Sequence, residues 1–284
     1  MKIEKVNKFH PDKIADAIAG AIIDLAYKET KNPKCAVEVL LGHGHCKVII
    51  ESNARFTEEE VDAIVDRIVG EDVKTELIIA EQDKHLADNQ KGGIKCGDNG
   101  VFKAKWNEEY EKATEFARKI GEKFPSDGKY IFDFDNNHAV ICQSNATEEE
   151  FLTWARENLP FETYKINPLG FWKGGYQVDT GCTNRKLGND QPLFNPNGLH
   201  GKDLSKSDLT LGVVSNLISK IYANAYVETY CAIGDEEIMF FVKDFEGGEV
   251  REEIKKSFAD CAEEARQYID ELGGFEAFAS YGIV

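Results

Sequence analysis

Two lysines, Lys202 and Lys206, lie about one helical turn apart in the stretch GLHGKDLSKSD, residues 198–208. Glycines and aspartates surround them, although the whole chain carries a formal net charge of -17. A solvated loop ahead of a helix would explain this composition. A polyphosphate site would explain it equally, because flexible cations and an acid that holds a divalent metal can share one pocket. The stretch alone leaves both interpretations open.

The segment GGYQVDTGCTNRK, residues 174–186, has the same character. It carries Asp179 and then Arg185 and Lys186, so this segment and the lysine-bearing stretch together supply four cations on glycine-rich loops. Guanidinium and ammonium groups need close approach to phosphate oxygens, which such loops permit. The chain has neither a GxxxxGK[ST] motif nor a GxGxxG motif after a strand. The loops therefore indicate a phosphate site that is neither a P-loop nor a dinucleotide fold.

Three weaker features precede these loops. HPDK, residues 10–13, opens a predicted helix where free backbone N–H groups favour anions, although a plain N-terminal cap also explains it. Glu38 and Glu51 each interrupt an apolar strand pattern, and such acids point to solvent or bind a cation. Asp98 lies in a GDNG turn that suits either a ligand or a chain reversal. Taken singly, each feature favours the purely structural explanation.

Helices and hairpins alternate along the chain to carry these motifs. Helices are predicted over 11–29, from Thr57 to about Gly70, over 107–123, after Thr147, from near Ser207 and over about 250–272. Hairpins are predicted over 35–54, 129–145 and around 230–245, with a strand over 75–82 and a loop over 83–100. Three hairpin-plus-helix units in succession predict an α+β fold, with pseudo-symmetric sheet-plus-helix units over 1–103, 104–172 and 173–284.

Composition excludes several classes of protein. Hydrophobic residues make up 42% and charged residues 30% of the 284 residues, as in ordinary globular proteins. The excess of 51 acids over 34 bases argues against nucleic acid as a partner. The sequence has no signal peptide and no run long enough to span a bilayer, which predicts a cytoplasmic protein without membrane contact. The seven cysteines occur without a CxxC pair, so neither disulfides nor a zinc site is expected.

The order of the motifs is more specific than any one of them. HPDKIAD, an acid in each strand of a hairpin, CGDNG, INPLG with GGYQVDTGCTNRK, and GKDLSKSD follow one another over most of the chain. This series resembles the S-adenosylmethionine synthetase (methionine adenosyltransferase) family, whose motifs read HPDKIAD, GDQG, INP(T/S)G with GGP…D.GLTGRK, and SGKDP(S/T)KVD. The chain resembles a shortened member of that family.

The resemblance implies a reaction between ATP and L-methionine. The sulfur would attack C5′ of ATP, and the released triphosphate would be cleaved to diphosphate and phosphate. A thioether needs no general base, which agrees with the absence of a recognisable nucleophile–base triad. Residues matched to catalytic positions are His10, Lys129, Arg185 and Lys202. Residues matched to ATP-binding positions are His10, Asp127, Lys129, Phe171, Trp172, Asp179, Arg185, Lys186 and Lys202, with either Phe171 or Trp172 on the adenine.

The remaining matched positions concern methionine and metal ions. Asp12 and Asp208 would hold Mg²⁺, two ions per site, since Mg²⁺ prefers one or two carboxylates with phosphate oxygens. Glu38 matches the acid that holds an activating K⁺ ion. Residues matched to the methionine pocket, with the nearby ribose, are Glu51, Gln82, Asp98, Asp179 and Lys206.

The resemblance also implies a homodimer with shared active sites. His10 and the second-strand elements would come from one chain, and the Arg185–Lys186 segment from the other. The shortened loops favour a dimer that does not pair into a tetramer.

Several positions depart from the family pattern. QDKHL, residues 82–86, replaces Gln-Ser-Pro-Asp-Ile in the mobile lid, so His85 stands in place of an acid. GLHGKDL replaces AFSGKDP, and GDNG replaces GDQG. Two alternatives to synthesis therefore stay open. One is a non-catalytic nucleotide-binding relative or regulatory partner, and the other is a triphosphate hydrolase that does not need methionine.

Lys202→Ala tests the role implied for this lysine. A loop cation on a leaving triphosphate acts chiefly in the transition state, so the rate of product formation should fall about 100-fold while the melting temperature stays nearly unchanged. Steady-state kinetics and thermal unfolding on the same preparation measure both quantities. A parallel loss of activity and melting temperature would count against the role.

Overall fold

Among residues 1–193, 198–223 and 225–283, which the computed structural model describes, the strands form three four-stranded sheets. The strands are β1 (Lys2–Val6), β2 (Cys35–Gly42), β3 (His45–Ser52), β4 (Lys74–Glu81), β5 (Gly100–Ala104), β6 (Gly128–Asp133), β7 (His138–Gln143), β8 (Thr163–Ile166), β9 (Thr180–Cys182), β10 (Tyr226–Cys231), β11 (Glu237–Lys243) and β12 (Val250–Ser257). The helices are α1 (Pro11–Glu29), α2 (Glu58–Val69), α3 (Lys84–Asn89), α4 (Glu108–Lys123), α5 (Glu148–Asn158), α6 (Leu187–Asp190), α7 (Ser207–Ile221), α8 (Phe258–Leu272) and α9 (Phe275–Tyr281).

Each sheet consists of a hairpin, a third strand beside it and one strand from elsewhere in the chain. The N-terminal sheet has the order β4-β3-β2-β9, the central sheet β8-β7-β6-β1, and the C-terminal sheet β12-β11-β10-β5. In the first two sheets the third strand runs parallel to its neighbour after a helix, α2 or α5. The predicted α+β fold of three sheet-plus-helix units is confirmed. The predicted boundaries after residues 103 and 172 stay a prediction, since the units exchange β1, β5 and β9.

One face of each sheet is buried. The central sheet packs on α4 and α5 around aromatic residues such as Phe132 and Phe151. The N-terminal and C-terminal sheets share a larger core with α1, α7 and α8, in which Ile18, Ile22 and Phe240 are fully buried. Helix α1 is buried over most of its length, so its N-terminus, and with it HPDK, is set by the surrounding sheets.

Local sequence explains most element ends. Helix α1 begins at Pro11 after an N-cap at His10. Helix α2 has the predicted capping box, in which Thr57 and Glu60 bond each other's backbone N–H groups. Thr147 caps α5 by accepting the N–H of Glu150 at 3.2 Å. These caps agree with the predicted helix starts.

The prediction was wrong in two segments. Residues 250–257 are strand β12 and not the start of a helix, and α8 begins only after Ser257, which accepts the N–H of Asp260 at 3.0 Å. Charged residues dominate β12 because it is an edge strand with most side chains in solvent. The expected loop over 83–100 contains the short helix α3, which Asp83 caps. Strands β1, β5, β8 and β9 were not predicted. In the described ranges, no helix combines the length and apolar character needed to cross a bilayer.

Gly181 lets β9 press against the start of α1. A Cβ at this position would lie 2.1 Å from the carbonyl oxygen of Pro11 and 2.7 Å from the backbone nitrogen of Asp12. Backbone atoms cannot yield as a flexible side chain would. A glycine is therefore required where β9 brings the RK segment, Arg185–Lys186, towards HPDK.

Gly181→Ala should lower the free energy of unfolding by about 1–3 kcal/mol, because the added methyl group overpacks this contact. Gly212→Ala is the matched control. Gly212 lies inside α7, and its added Cβ would meet the Leu199 side chain at an ordinary 3.7 Å, so this variant should gain about 0.5–1 kcal/mol from helix propensity. Urea unfolding measures both, and equal effects of the two changes would contradict the close approach.

Candidate functional site

Asp12 joins the N-terminus of α1 to the chain that follows β9. Its carboxylate is only 1% exposed, and Oδ1 accepts the backbone N–H of Cys182 at 2.8 Å. Lys186 Nζ donates to Oδ2 at 2.5 Å, and Arg185 Nη1 lies 3.5 Å from Oδ1. Each carboxylate oxygen keeps a further lone pair. One acid and two cations from distant parts of the sequence thus meet at the start of a helix.

The resemblance implies that the Arg185–Lys186 segment meets His10 from another subunit, and a site shared between subunits stays a prediction. The structure pairs both cations with Asp12 inside one chain. The reason is β9, which pairs with β2 and so directs the RK segment back onto its own α1.

His10 is neutral and has a defined tautomer. Burial and the nearby Lys186 ammonium lower the pKa of its imidazole to about 4, against the opposing charge of Asp12. Its Nδ1 accepts the backbone N–H of Asp12 at 3.2 Å. The single proton of the neutral ring is therefore on Nε2. A neutral N–H donor at this position suits an oxygen that gains negative charge.

Asp127, from the segment that precedes β6, belongs to the same group of charges. Its Oδ2 accepts the N–H of Gly175 at 3.2 Å. Burial raises the pKa of this carboxyl to about 6, and the like charges of Asp179 and Asp12 add to the shift. Lys129 on β6 acts electrostatically on His10 and pairs with Glu4 at 3.0 Å. The predicted residues Asp127, Lys129 and Asp179 thus lie around the start of α1.

A second group surrounds Lys202. Its Nζ donates to Glu38 Oε1 at 2.8 Å, and the hydroxyl of Thr183 donates to Oε2 of the same acid. Thr183 follows Cys182 directly, so β9 connects this group to Asp12. The backbone of the GKD loop lies along β2, where Gly201 accepts the N–H of Val37 at 2.7 Å.

Asp208 lies in the first turn of α7, next to Lys206 at the N-cap. Burial and the like charge of Asp98 raise the pKa of Asp208 to about 6, while Lys202 and Lys206 oppose the shift. The carbonyl of Asp98 accepts a bond from the Ser207 hydroxyl at 3.3 Å. The GDNG turn is thus fixed to the N-terminus of α7, and two acids face two lysines there.

The two candidates for stacking on adenine, Phe171 and Trp172, differ in how firmly the protein holds their side chains. Trp172 Nε1 donates to Asn167 Oδ1 at 3.2 Å, and the carbonyl of Trp172 accepts the N–H of Asn145 at 3.0 Å. Phe171 is 58% exposed. An exposed ring is free to cover an adenine, whereas the indole is already held by the protein, so Phe171 is the better candidate of the two.

Glu51 and Gln82 stand apart from these groups. Glu51 lies on β3 and shares the outer face of the N-terminal sheet with Glu38, as the register of β2 and β3 requires. Gln82 follows β4, and its N–H donates to the Ser52 carbonyl at 3.3 Å. Its Oε1 is buried without a partner among the described residues. Within the described chain, no hydrogen bond or ion pair joins either side chain to Asp12 or Lys202.

Sequence reasoning missed a buried charge cluster under the site. It consists of Lys13, Asp16, Asp190 and His200, all at most 2% exposed. Lys13 Nζ lies 2.7 Å from Asp190 Oδ2 and 3.3 Å from Asp16 Oδ2. The only signal in the sequence was the position of Lys13 and His200 inside the two motifs HPDK and GLHGKD.

The chain is similar to known S-adenosylmethionine synthetases. Residues 1–76 match the family model "S-adenosylmethionine synthetase, N-terminal domain". An S-adenosylmethionine synthase of Helicobacter pylori is 27% identical over 275 residues, which cover 76% of this chain and 71% of that protein. One from Acholeplasma laidlawii is 24% identical over 88% of this chain and 83% of its own length. A solved structure, described as an unusual S-adenosylmethionine synthetase from Campylobacter jejuni, covers 100% of this chain and 94% of its own with a TM-score of 0.74. Its 19% sequence identity supports the shared fold alone.

Asp127→Asn tests the electrostatics of the site. The carboxyl has a folded-state pKa of about 6 against an ordinary 3.8. Its contribution to stability is therefore present below pH 3.8 and is lost as the pH rises through about 6. The variant keeps an acceptor for the N–H of Gly175. At about pH 7.5 its free energy of unfolding should be about 1–2 kcal/mol higher than that of the parent, a figure discounted for solvent screening.

Urea unfolding at about pH 7.5 and about pH 3.5 measures the difference, which should vanish at the lower pH because both forms are then neutral. A variant that is less stable than the parent at the higher pH would contradict a disfavoured buried charge at Asp127.

Proposed function

Since the chain belongs to the S-adenosylmethionine synthetase family, we propose that it makes S-adenosylmethionine from ATP and L-methionine. The methionine sulfur donates its lone pair to C5′ of ATP, the C5′–O bond breaks, and its electron pair leaves with triphosphate. Water then splits the triphosphate into diphosphate and phosphate. The observation that carries this proposal is the position of three cations beside two acids. Lys186 and Arg185 pair with Asp12 at the start of α1, and the charge of Lys202 acts on Asp208 at the start of α7.

The proposed role of the cations is to stabilise the leaving triphosphate. Lys186 and Arg185 pair with Asp12, and Lys202 pairs with Glu38, which also binds Thr183, the residue that follows β9. In the structure Asp12 and Glu38 balance the charges of these three cations. When ATP binds, the three side chains turn to its phosphate oxygens. The triphosphate then takes the place of the carboxylates as the partner of these cations. Because the fold already holds the cations near the triphosphate, the protein reorganises little during the reaction.

His10 has a distinct proposed role at the bond that breaks. Its Nε2 carries the proton and its Nδ1 is held by the Asp12 N–H at 3.2 Å. A pKa of about 4 keeps the ring neutral near pH 7. It therefore donates a hydrogen bond to the C5′ oxygen as charge develops there, without prior protonation.

The donor chemistry at Asp12 and Asp208 fits Mg²⁺. Both are oxygen donors with lone pairs left, and Asp208 lies in a buried position beside the like charge of Asp98, where a divalent cation would offset both carboxylates. When bound with ATP, two Mg²⁺ ions would neutralise phosphate charge and so favour departure of the triphosphate. Mg²⁺ at Asp12 and K⁺ at Glu38 fit after Lys186 and Lys202 have moved to the triphosphate, because an ammonium group on the same carboxylate repels a metal cation.

The proposed methionine pocket uses acids for the ammonium group. Asp98 and Lys206 lie beside Asp208 at the N-terminus of α7. Glu51 and Gln82 are proposed to reach the substrate from the outer face of the N-terminal sheet, and the unpartnered Oε1 of Gln82 is an acceptor without a donor. Opposite charges at these positions suit the two ends of a zwitterion.

A turnover assay tests the proposed reaction. Purified protein with ATP, Mg²⁺ and K⁺ is incubated with and without L-methionine, and the nucleoside product is identified by mass spectrometry. S-adenosylmethionine and phosphate are expected only with methionine. Phosphate release without methionine would favour the triphosphate hydrolase, and binding of ATP without any product would favour the non-catalytic relative.

We further propose a homodimer through the outer faces of the sheets. Large apolar side chains are exposed there in the N-terminal and C-terminal sheets: Leu40, Ile49, Ile78, Val101 and Tyr230, at 41–64%. An apolar face of this kind is unusual on a monomer. It also presents Glu38 and Glu51, and a second copy would bring its own charged groups to these acids. The monomer mass is 31.8 kDa.

Ile49→Glu should convert the dimer into a monomer, because a charge in the centre of an apolar interface must be desolvated without a partner. Ile221→Glu is the control, since Ile221 is 73% exposed and lies on helix α7, not on the outer face of a sheet. Light scattering measures the mass in solution. A parent protein that is monomeric and fully active would exclude the dimer, and an unchanged mass for Ile49→Glu would exclude this interface.

A further inference from the structure

Two positions where this chain departs from the family motifs lie in contact. Asn184 occupies the place of the last glycine in GLTGRK, and His200 occupies that of the serine in AFSGKD. Asn184 has a φ of 63°, in the left-handed region that a glycine adopts without cost and that Asn tolerates better than most residues. The replacement therefore keeps the backbone conformation and adds a side chain.

The Asn184 side chain holds the start of the GKD loop. Its Oδ1 accepts the N–H of Leu199 at 2.9 Å and that of His200 at 2.8 Å. Its Nδ2 donates to the carbonyl of His200 at 3.2 Å. Its own N–H donates to Asp16 Oδ1 at 2.8 Å. A glycine would retain only the last of these four bonds.

The His200 side chain fixes the same loop from the other side. It is 2% exposed, and its Nε2 lies 2.8 Å from Asp190 Oδ2. The Lys13 ammonium bonds the same oxygen at 2.7 Å, and Phe278 packs against the imidazole with ring centroids 5.3 Å apart. A serine hydroxyl would not extend as far as the imidazole Nε2.

Together these contacts tie three motifs to one buried point. Asn184 directly precedes Arg185, His200 lies two residues before Lys202, and Lys13 directly follows Asp12. The spacing of the triphosphate-binding groups thus depends on bonds made by their immediate neighbours in sequence. Asp16, Asp190 and His200 could by geometry hold a metal ion, but the Lys13 ammonium already lies between the two acids, so the cluster acts as an internal ion pair.

We propose that Asn184 and His200 are positioning residues, which hold Arg185 and Lys202 at the separation that the leaving triphosphate requires. The proposal rests on the proposed function, because it assigns these two residues to the same polyphosphate site. The pair replaces family residues of smaller size and adds four hydrogen bonds between the RK segment, α6 and the GKD loop.

Asn184→Gly tests the first half of the proposal and retains the backbone conformation. Isothermal titration with inorganic tripolyphosphate and Mg²⁺ should give an affinity about tenfold weaker than that of the parent, since three bonds that order the loop are lost. The kcat for S-adenosylmethionine formation should fall by at least about tenfold, because misplaced groups act in the transition state. The KM for methionine should stay unchanged.

The second half is tested by comparing two changes at one position. His200→Ser should lower tripolyphosphate affinity and kcat about tenfold, whereas His200→Gln, whose Nε2 can donate to Asp190, should recover most of both. The double variant Asn184→Gly with His200→Ser should lose less than the product of the single effects, because both residues hold one loop.

Ser257→Ala is the control for plain destabilisation. It removes the N-cap of α8, an element that carries no candidate site residue, and should lower the melting temperature while leaving tripolyphosphate affinity and kcat unchanged. If Asn184→Gly also leaves both unchanged in an active parent, or if His200→Gln behaves as His200→Ser, the positioning role is overturned while the proposed function stands. A parent that neither binds tripolyphosphate nor forms S-adenosylmethionine overturns the proposed function itself.

Discussion

The contact between Asp12 and the strand β9 is the constraint on which the candidate site depends. The Asp12 carboxylate is almost fully buried, so it must be bonded and neutralised, and the Cys182 N–H and the Lys186 ammonium do both. These bonds require β9 to touch the N-terminus of α1, which only a glycine at position 181 permits. From this one contact follow the direction of the RK segment, the position of Thr183 beside Glu38 and the neutral state of His10.

Local signals in the sequence predicted most of the elements that carry the candidate residues. The cap at His10, the hairpin that carries Glu38 and Glu51, and the start of α7 near Asp208 all have local signals, in a fixed-φ proline, alternating apolar residues and helix periodicity. Strand β9 has only three residues, too few for any periodic pattern. Its pairing with β2 spans about half the chain, and no local propensity encodes such a long-range partner.

The burial of charged side chains could not be predicted from the sequence for a related reason. In the sequence, Lys13 and Asp16 are typical of the solvent-exposed polar face of a helix. In the structure α1 lies inside the protein, and both side chains are fully buried. Their partners, Asp190 and His200, come from a short helix and a loop far along the chain. The pairing of Lys202 with Glu38 was likewise not foreseen, since the resemblance assigned these residues to different ligands. Only tertiary packing decides whether a charged residue meets solvent or another charge.

The net charge of the chain gives little information about the site. Seventeen excess acids are spread over helices and edge strands, whereas the candidate site gathers cations from two loops against acids from α1, β2 and α7. Arg185, Lys186 and Lys202 are each paired with a carboxylate in the structure. An acidic protein can therefore bind a polyanion, because the ligand displaces internal carboxylates as partners and local geometry outweighs the total charge.

A crystal structure of the protein with Mg²⁺ and tripolyphosphate tests this account most directly. The account predicts the triphosphate between Lys186 and Asp208, with Lys202 Nζ moved from Glu38 onto a phosphate oxygen and Arg185 turned away from Asp12. A triphosphate bound elsewhere, or bound while Lys202 keeps its partner Glu38, would contradict it.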